Sequence, residues 1–372
     1  MSDHVDLIDR LLEEADALGH GPSQVSLLEE AVRLADTHGD VEQGFRARLE
    51  LTEAATFGGR PDLLLVAFSW CLAQHDRDPD CFEEESLLWQ YKWVVDQLPD
   101  FPQIGREQID AMFADMAHRF EQAGSRLHAV YHKRRYVSTR MGDVRAAAAA
   151  NAKLARTSPD WLSDCPACKL NDDGWYLAFL GKDKQALAKV GPILQGKMEC
   201  AEVPHITYGW VLLALVRLER WEEAMSYHRK GYRLLAGNSE FLEYTAQHLI
   251  FLCLTDNLAK AVKLLETHLP EALEAPSWRK RFEFYLACRF LLERLAERSS
   301  RKLRLRLPKA FALHHPKSQY APAELSAWFG EQLQDLAGRF DARNGNDYFS
   351  RRIAGLEDLK QLIRPYPLRA GG

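Results

Sequence analysis

Four residues of this chain have the types and the spacing to hold a metal ion: Cys165, Cys168, Cys200 and His205, in the order C-x2-C-x31-C-x4-H. Thiolate and imidazole are ligands that Zn²⁺ takes at about 2.0–2.3 Å in a tetrahedron. Four protein ligands would leave no open position, so the ion would be a structural clamp and not a catalyst. Two of the ligands stand in Asp164-Cys165-Pro166-Ala167-Cys168 and two in Cys200-Ala201-Glu202-Val203-Pro204-His205. Each segment precedes a helical pattern, and the positive end of a helix dipole favours a thiolate. Reduced cysteines packed in loops are the plainer account of the same residues. Cys-Pro-Ala-Cys before a helix also has the form of a redox pair, without the βαβ context such a pair requires.

Other chemistry is sparser. Glu202-x-x-His205 is half of a di-iron carboxylate motif, which needs the pair twice and two further Glu; no second copy follows. The chain has no HExxH, no Gly-rich phosphate loop and no G-x-S-x-G elbow. His128, His132 and Arg135 fall at i, i+4, i+7, so they share a helix face that could receive a carboxylate or an acidic peptide. Tyr244 and His248 offer the same further along, and a solvated polar face is the alternative. Arg294, Arg298, Arg301, Lys302, Arg304, Arg306 and Lys309 make a basic run against only Glu297. It would suit an acidic partner, but it lacks the aromatics that stack bases. A charged edge strand explains it as well. Asn344-Gly345 ends a helix in the polar segment Phe340–Asp347, which reads as a helix stop. Cys71, Cys81, Cys253 and Cys288 stand mostly in apolar contexts, as small buried hydrophobes do.

The elements that must position these residues read as helices almost throughout. Leu27, Leu28, Ala31, Leu34 and Ala35 repeat with helical period. Gly39-Asp40, Gly142-Asp143, Gly181-Lys182-Asp183 and Asp256-Asn257 stop one helix and cap the next. Those stops suggest a repeat. Small residues recur at Ala147, Ala186, Ala224 and Ala261, spaced by 39, 38 and 37 positions. Both halves of the Cys/His set then precede the first helices of successive hairpins. Stacked neighbours with axes about 8–10 Å apart would bring the two loops together at one rim.

With Tyr208, then Trp221-Glu222-Glu223-Ala224, His228 and Gly231, the chain resembles the tetratricopeptide repeat. The period exceeds the roughly 34 residues of that family, and Leu212 stands where the family has a small residue. The resemblance covers about residues 20 to 298, with a weaker copy phased on Leu28 and Leu64. The tract 169–273 is similar to bacterial helical repeat proteins of unassigned function. These likenesses imply stacked hairpins, a bacterial cytoplasmic setting and a concave groove that binds a protein or peptide.

After Arg298 the pattern changes: Leu303, Leu305 and Leu307 alternate with Lys302, Arg304 and Arg306, as in a strand. Helical patterns resume at 322–343 and 349–363. The expected fold is all-α: a right-handed α-α superhelix over 1–298 and a C-terminal cap over 299–372.

Composition sets the outer limits. The chain has 372 residues, 47% hydrophobic and 27% charged, with a formal net charge of −5. That is the profile of a folded protein and not of a general nucleic-acid binder. The longest apolar stretches are much shorter than a bilayer span, and the acidic start has no signal-peptide form. Seven cysteines, an odd number, fit a reducing cytoplasm better than a disulfide framework. The functional expectation is a binding scaffold with a structural zinc clamp. A peptide-responsive regulator and a metal-dependent enzyme are the alternatives.

Overall fold

Helix ends in this chain are set by a few residues whose side chains or φ angles complete the backbone hydrogen bonds. Asp40 accepts the Gln43 N–H at 3.1 Å and starts one helix, and Ser277 does the same for Lys280 at 3.0 Å. Gly39 and Gly345 close others in the left-handed region, at φ 65 and 66. Proline opens four helices, at Pro22, Pro61, Pro166 and Pro322, where its missing N–H costs nothing.

A computed structural model describes residues 3–235 and 237–368. It is all-helical apart from one short strand pair among the described residues. The first helices are α1 (Asp3–Asp16), α2 (Pro22–His38), α3 (Val41–Phe57), α4 (Pro61–Arg77), α5 (Glu84–Gln97) and α6 (Arg106–Gln122). Next come α7 (His128–Arg140), α8 (Val144–Leu154), α9 (Pro166–Phe179), α10 (Asp183–Lys189), α11 (Gly191–Leu194) and α12 (His205–Arg217). The series continues with α13 (Trp221–Leu235), α14 (Leu242–Leu254), α15 (Leu258–Glu274) and α16 (Trp278–Arg298). Last are β1 (Leu303–Arg304), β2 (Gln319–Tyr320), α17 (Pro322–Asn344), α18 (Tyr348–Ala354) and α19 (Leu356–Lys360). None is long and apolar enough to cross a membrane.

The chain divides into two compact units. One comprises Met1–Val137, Arg145–Ser163 and Asn238–Glu240, and the other Ser138–Val144, Asp164–Gly237 and Phe241–Gly372. In the first, α1 to α4 pack in sequence order around Ile8, Leu12, Leu28, Ala31 and Leu51. Arg48 ties three of these helices together. Its guanidinium chelates Asp36 at 3.0 and 2.7 Å and lies 4.0 Å from the Trp70 ring centroid.

In the second unit α9 packs on α10, α12 on α13 and α14 on α15. Ala186, Ala224 and Ala261, on the second helix of each pair, are fully buried, as is Ala147 in the first unit. Small residues are needed where helix backbones come close. At Gly231 a Cβ would sit 2.6 Å from the Tyr208 Cβ, so only glycine fits.

The segment 303–307 alternates as expected. Leu305 and Leu307 are buried, Arg304 and Arg306 exposed, and β1 pairs antiparallel with β2. The segment set apart as a cap shares one core with α9 to α16, through Leu305, Phe311, Tyr320, Phe329 and Phe340. The chain then runs past the end of α14. Arg364 and Tyr366 donate their N–H groups to the carbonyls of Leu254 and Thr255 at 2.9 and 3.0 Å. Those are C-terminal acceptors that helix geometry leaves open.

Gly142 joins φ 72 to a close approach, since a Cβ there would lie 2.2 Å from Tyr348 Cγ. Gly142→Ala is therefore expected to cost about 2–5 kcal/mol, from the left-handed backbone and overpacking together. Gly181→Ala has φ 73 but open space around the new methyl, so it should cost only about 1–2 kcal/mol. Urea unfolding of the two variants measures the difference.

Candidate metal centre

The centre is built from two loops that are far apart in the chain. Cys165 is the N-cap of α9, and its sulfur accepts the Cys168 N–H at 3.4 Å. Pro166 opens that helix, so Cys168 sits in its first turn. Cys200 lies in the loop before α12, its N–H bonded to the Val203 carbonyl at 2.8 Å. The Val203–Pro204 peptide bond is cis. The sulfurs of Cys165, Cys168 and Cys200 all lie within 4.8 Å of one another, and those of Cys168 and Cys200 are 3.1 Å apart. All three residues are half-buried. Three thiols at this spacing could hold a metal ion. At a Zn–S distance of about 2.3 Å, tetrahedral sulfurs stand about 3.8 Å apart. The Cys168–Cys200 pair would open by less than an ångström to meet that spacing.

The electrostatics favour one thiolate over the other. The hydrogen bond from Cys168 holds the Cys200 thiol below its ordinary value against burial, helped by the backbone N–H groups of Glu202 and Val203. The same bond, with burial and the neighbouring sulfurs, drives Cys168 upward. One proton is thus shared between the two, and a cation replacing it would find Cys200 already close to anionic.

His205 opens α12, and its ring stacks on Phe241 with centroids 5.5 Å apart, outside the group of three sulfurs. Its Nδ1 is buried and has no hydrogen-bond partner. Burial lowers its pKa, which keeps the imidazole in the neutral form a metal requires.

The groove candidates lie elsewhere than on an open face. His128, His132 and Arg135 are 4%, 2% and 3% exposed. His128 Nδ1 meets the carbonyl and hydroxyl of Thr157, both at 3.2 Å, and Arg135 donates to Asn151 Oδ1 at 3.1 Å. The polar face of α7 therefore packs inward against α8 and the turn after it, and not toward solvent. His248 is fully buried as well, whereas Tyr244 is half-buried beside a small cavity.

Much of the basic run is matched by acids: Arg294 and Arg298 bond Asp256, Arg294 also bonds Glu297, and Arg306 bonds Glu266. Cys71, Cys253 and Cys288 are buried, whereas Cys81 is exposed. In the polar stop after α17, the amides of Asn344 and Asn346 both donate to the Met141 carbonyl at 3.0 Å.

Two clusters had no signal in sequence. His228 and His248 face each other with Nδ1 atoms 2.9 Å apart, so one must donate and the other accept. Burial holds both neutral, His228 down to about 4 and His248 well below the ordinary value. Their contribution to stability is complete above the unfolded value of about 6.5 and is lost as pH falls from there toward 4. Each should remove about 1.4 kcal/mol of stability per pH unit in that window. Urea unfolding at pH 7.5 and 5.5 would show it, with a shallower dependence in His228→Gln. The second cluster joins Arg140, Glu243 and Arg279, from three helices.

No protein-family model matches the chain, and a comparison with curated proteins finds no match either.

Proposed function

We propose that this chain is a binding scaffold: a right-handed superhelix of tetratricopeptide-like hairpins that holds a protein or peptide segment, with a Zn²⁺ clamp between successive hairpins. The observation that carries the clamp is the convergence of Cys165, Cys168 and Cys200 within 4.8 Å from two loops some thirty residues apart. His205 is assigned the fourth position. Its Nδ1 is buried without a partner and its ring is kept neutral, although the ring must turn from Phe241 to bind. The hairpin period and the fully buried alanines support the scaffold. A reducing cytoplasm is the setting such thiolates need.

The test is metal content. Protein purified with reductant is expected to carry about one equivalent of zinc by mass spectrometry, and the cobalt form to show tetrahedral S₃N absorption. Cys168→Ser and Cys200→Ser should lose the metal, and His205→Ala should weaken it by about 10–100-fold. Wild-type protein that takes up neither metal in reductant sinks the clamp.

The 3.1 Å between Cys168 and Cys200 also favours a second reading, a reversible disulfide. The two thiols would give two protons and two electrons to an external disulfide such as oxidised glutathione. In that case the metal-free protein should lose two titratable thiols on exposure to oxidised glutathione and regain them with reductant.

A further inference from the structure

An open groove of about 570 Å³ runs between α13 and the last described stretch of the chain, within the second unit. One wall is a face of α13, where Glu222, Ser226, Arg229, Lys230 and Arg233 follow one another at helical spacing. Tyr366 and Pro367 form the other wall. The N–H groups of Arg364 and Tyr366 are spent on the end of α14, and that of Leu368 goes to Asn257 Oδ1 at 3.0 Å. Pro365 and Pro367 have no N–H to give. This strap therefore presents no backbone donor to the groove, and a ligand must take its hydrogen bonds from side chains.

The cations of α13 are available for that. Arg233 donates from Nε to the Arg229 carbonyl at 3.1 Å, which holds its guanidinium along the helix. Its terminal nitrogens, and the guanidinium of Arg229, have no hydrogen-bond or ion-pair partner among the described residues. Lys230 has no ion-pair partner among them either, and its Nζ lies 5.9 Å from the Tyr227 ring centroid. Lys230 and Arg233 are exposed and Arg229 is half-buried. Glu222 is the one acid in the lining, so three cations and one anion leave two positive charges unmatched.

We propose that this groove binds a phosphomonoester, with the phosphoryl group lodged between Arg229 and Arg233 and the body that carries it lying against Tyr366 and Pro367. A phosphomonoester carries about −1.5 to −2 charge at pH 7, which meets the lining, whereas a carboxylate would leave one positive charge over. Its three acceptor oxygens suit two guanidinium forks and an ammonium. Arg229 and Arg233 are one helical turn apart, about 6 Å along the axis. That is room for one phosphoryl group and not for the run of phosphates in a nucleic-acid strand. No residue of the groove belongs to the thiol centre, and binding here requires neither the metal nor the peptide-holding groove of the proposed scaffold.

Calorimetric titration of the full chain at low salt tests this with two probes: adenosine 5′-monophosphate, and a short peptide containing one phosphoserine. Adenosine and the unphosphorylated peptide are the controls. At least one phosphomonoester is expected to bind saturably, with its control weaker by about tenfold or more. Binding of the nucleotide identifies a small-molecule site, and binding of the peptide alone identifies a reader of phosphorylated side chains. Arg229→Gln combined with Arg233→Gln should weaken binding by about tenfold or more. If that double variant does not fold, Ser226→Glu sets an anion on the same exposed face while keeping all three cations, and it should weaken binding similarly. The proposal is overturned if neither phosphomonoester saturates the wild-type chain at millimolar concentration, if the controls bind equally well, or if the folded variants bind unchanged.

Discussion

Glu243→Ala is expected to remove about 3–5 kcal/mol of folding stability, the usual cost of breaking a buried ion pair from one side. Glu243 is 9% exposed and holds two arginines, Arg140 and Arg279, that are themselves 8% and 4% exposed. Burial alone would raise its pKa, but the two guanidinium groups overcome this and hold the carboxyl well below its ordinary range. Without the carboxylate, both guanidinium groups would lose the buried anion they share. Glu243→Gln should cost somewhat less, because the amide oxygen still accepts one hydrogen bond. Adding Arg140→Leu to Glu243→Ala should recover part of the loss, because it removes one of the two like charges that the carboxylate had bridged. Urea denaturation of the four proteins gives these differences. A Glu243→Ala loss below about 1 kcal/mol would mean that water reaches the cluster.

Withdrawal of the proposed zinc ion is the second large expected effect. A ligand that binds only the folded state stabilises it by about 4 kcal/mol when present at a thousand times its dissociation constant. For a unit of this size, about 1 kcal/mol moves the melting temperature by roughly 2–4 °C. Chelation should therefore lower the melting temperature by about 8–16 °C. Cys200→Ser should melt near the chelated wild type and ignore chelator, since it lacks the thiol nearest to anionic. Metal loss should also become easier as pH falls, because three thiolates compete with protons for the ion. A wild-type melting temperature unmoved by chelator, in protein shown to contain zinc, would confine the ion to some other place on the chain.

The helices were legible because their signals are local. A cap needs only a side chain reaching three residues along, as at Asp40 and Ser277. A buried stripe needs only the 3.6 period, and Leu28, Ala31 and Ala35 are buried as that period requires. The alternation of 303–307 is equally local. The thiol cluster was legible for a different reason: cysteines are few, and two loops preceding successive hairpins put three of them within reach of one another.

Everything that depended on which faces meet was beyond the residues alone. A polar stripe such as His128, His132 and Arg135 reads the same whether it faces water or a neighbouring helix, and here Thr157 and Asn151 meet it. Arg140 and Glu243 are 103 residues apart, and no local period links them. His228 and His248 likewise meet only because α13 packs on α14. Residue types and short-range spacing are enough to choose helix and to nominate ligands. Charge pairing, burial and ring orientation follow from long-range packing, in which each partner is selected by the shape of the other.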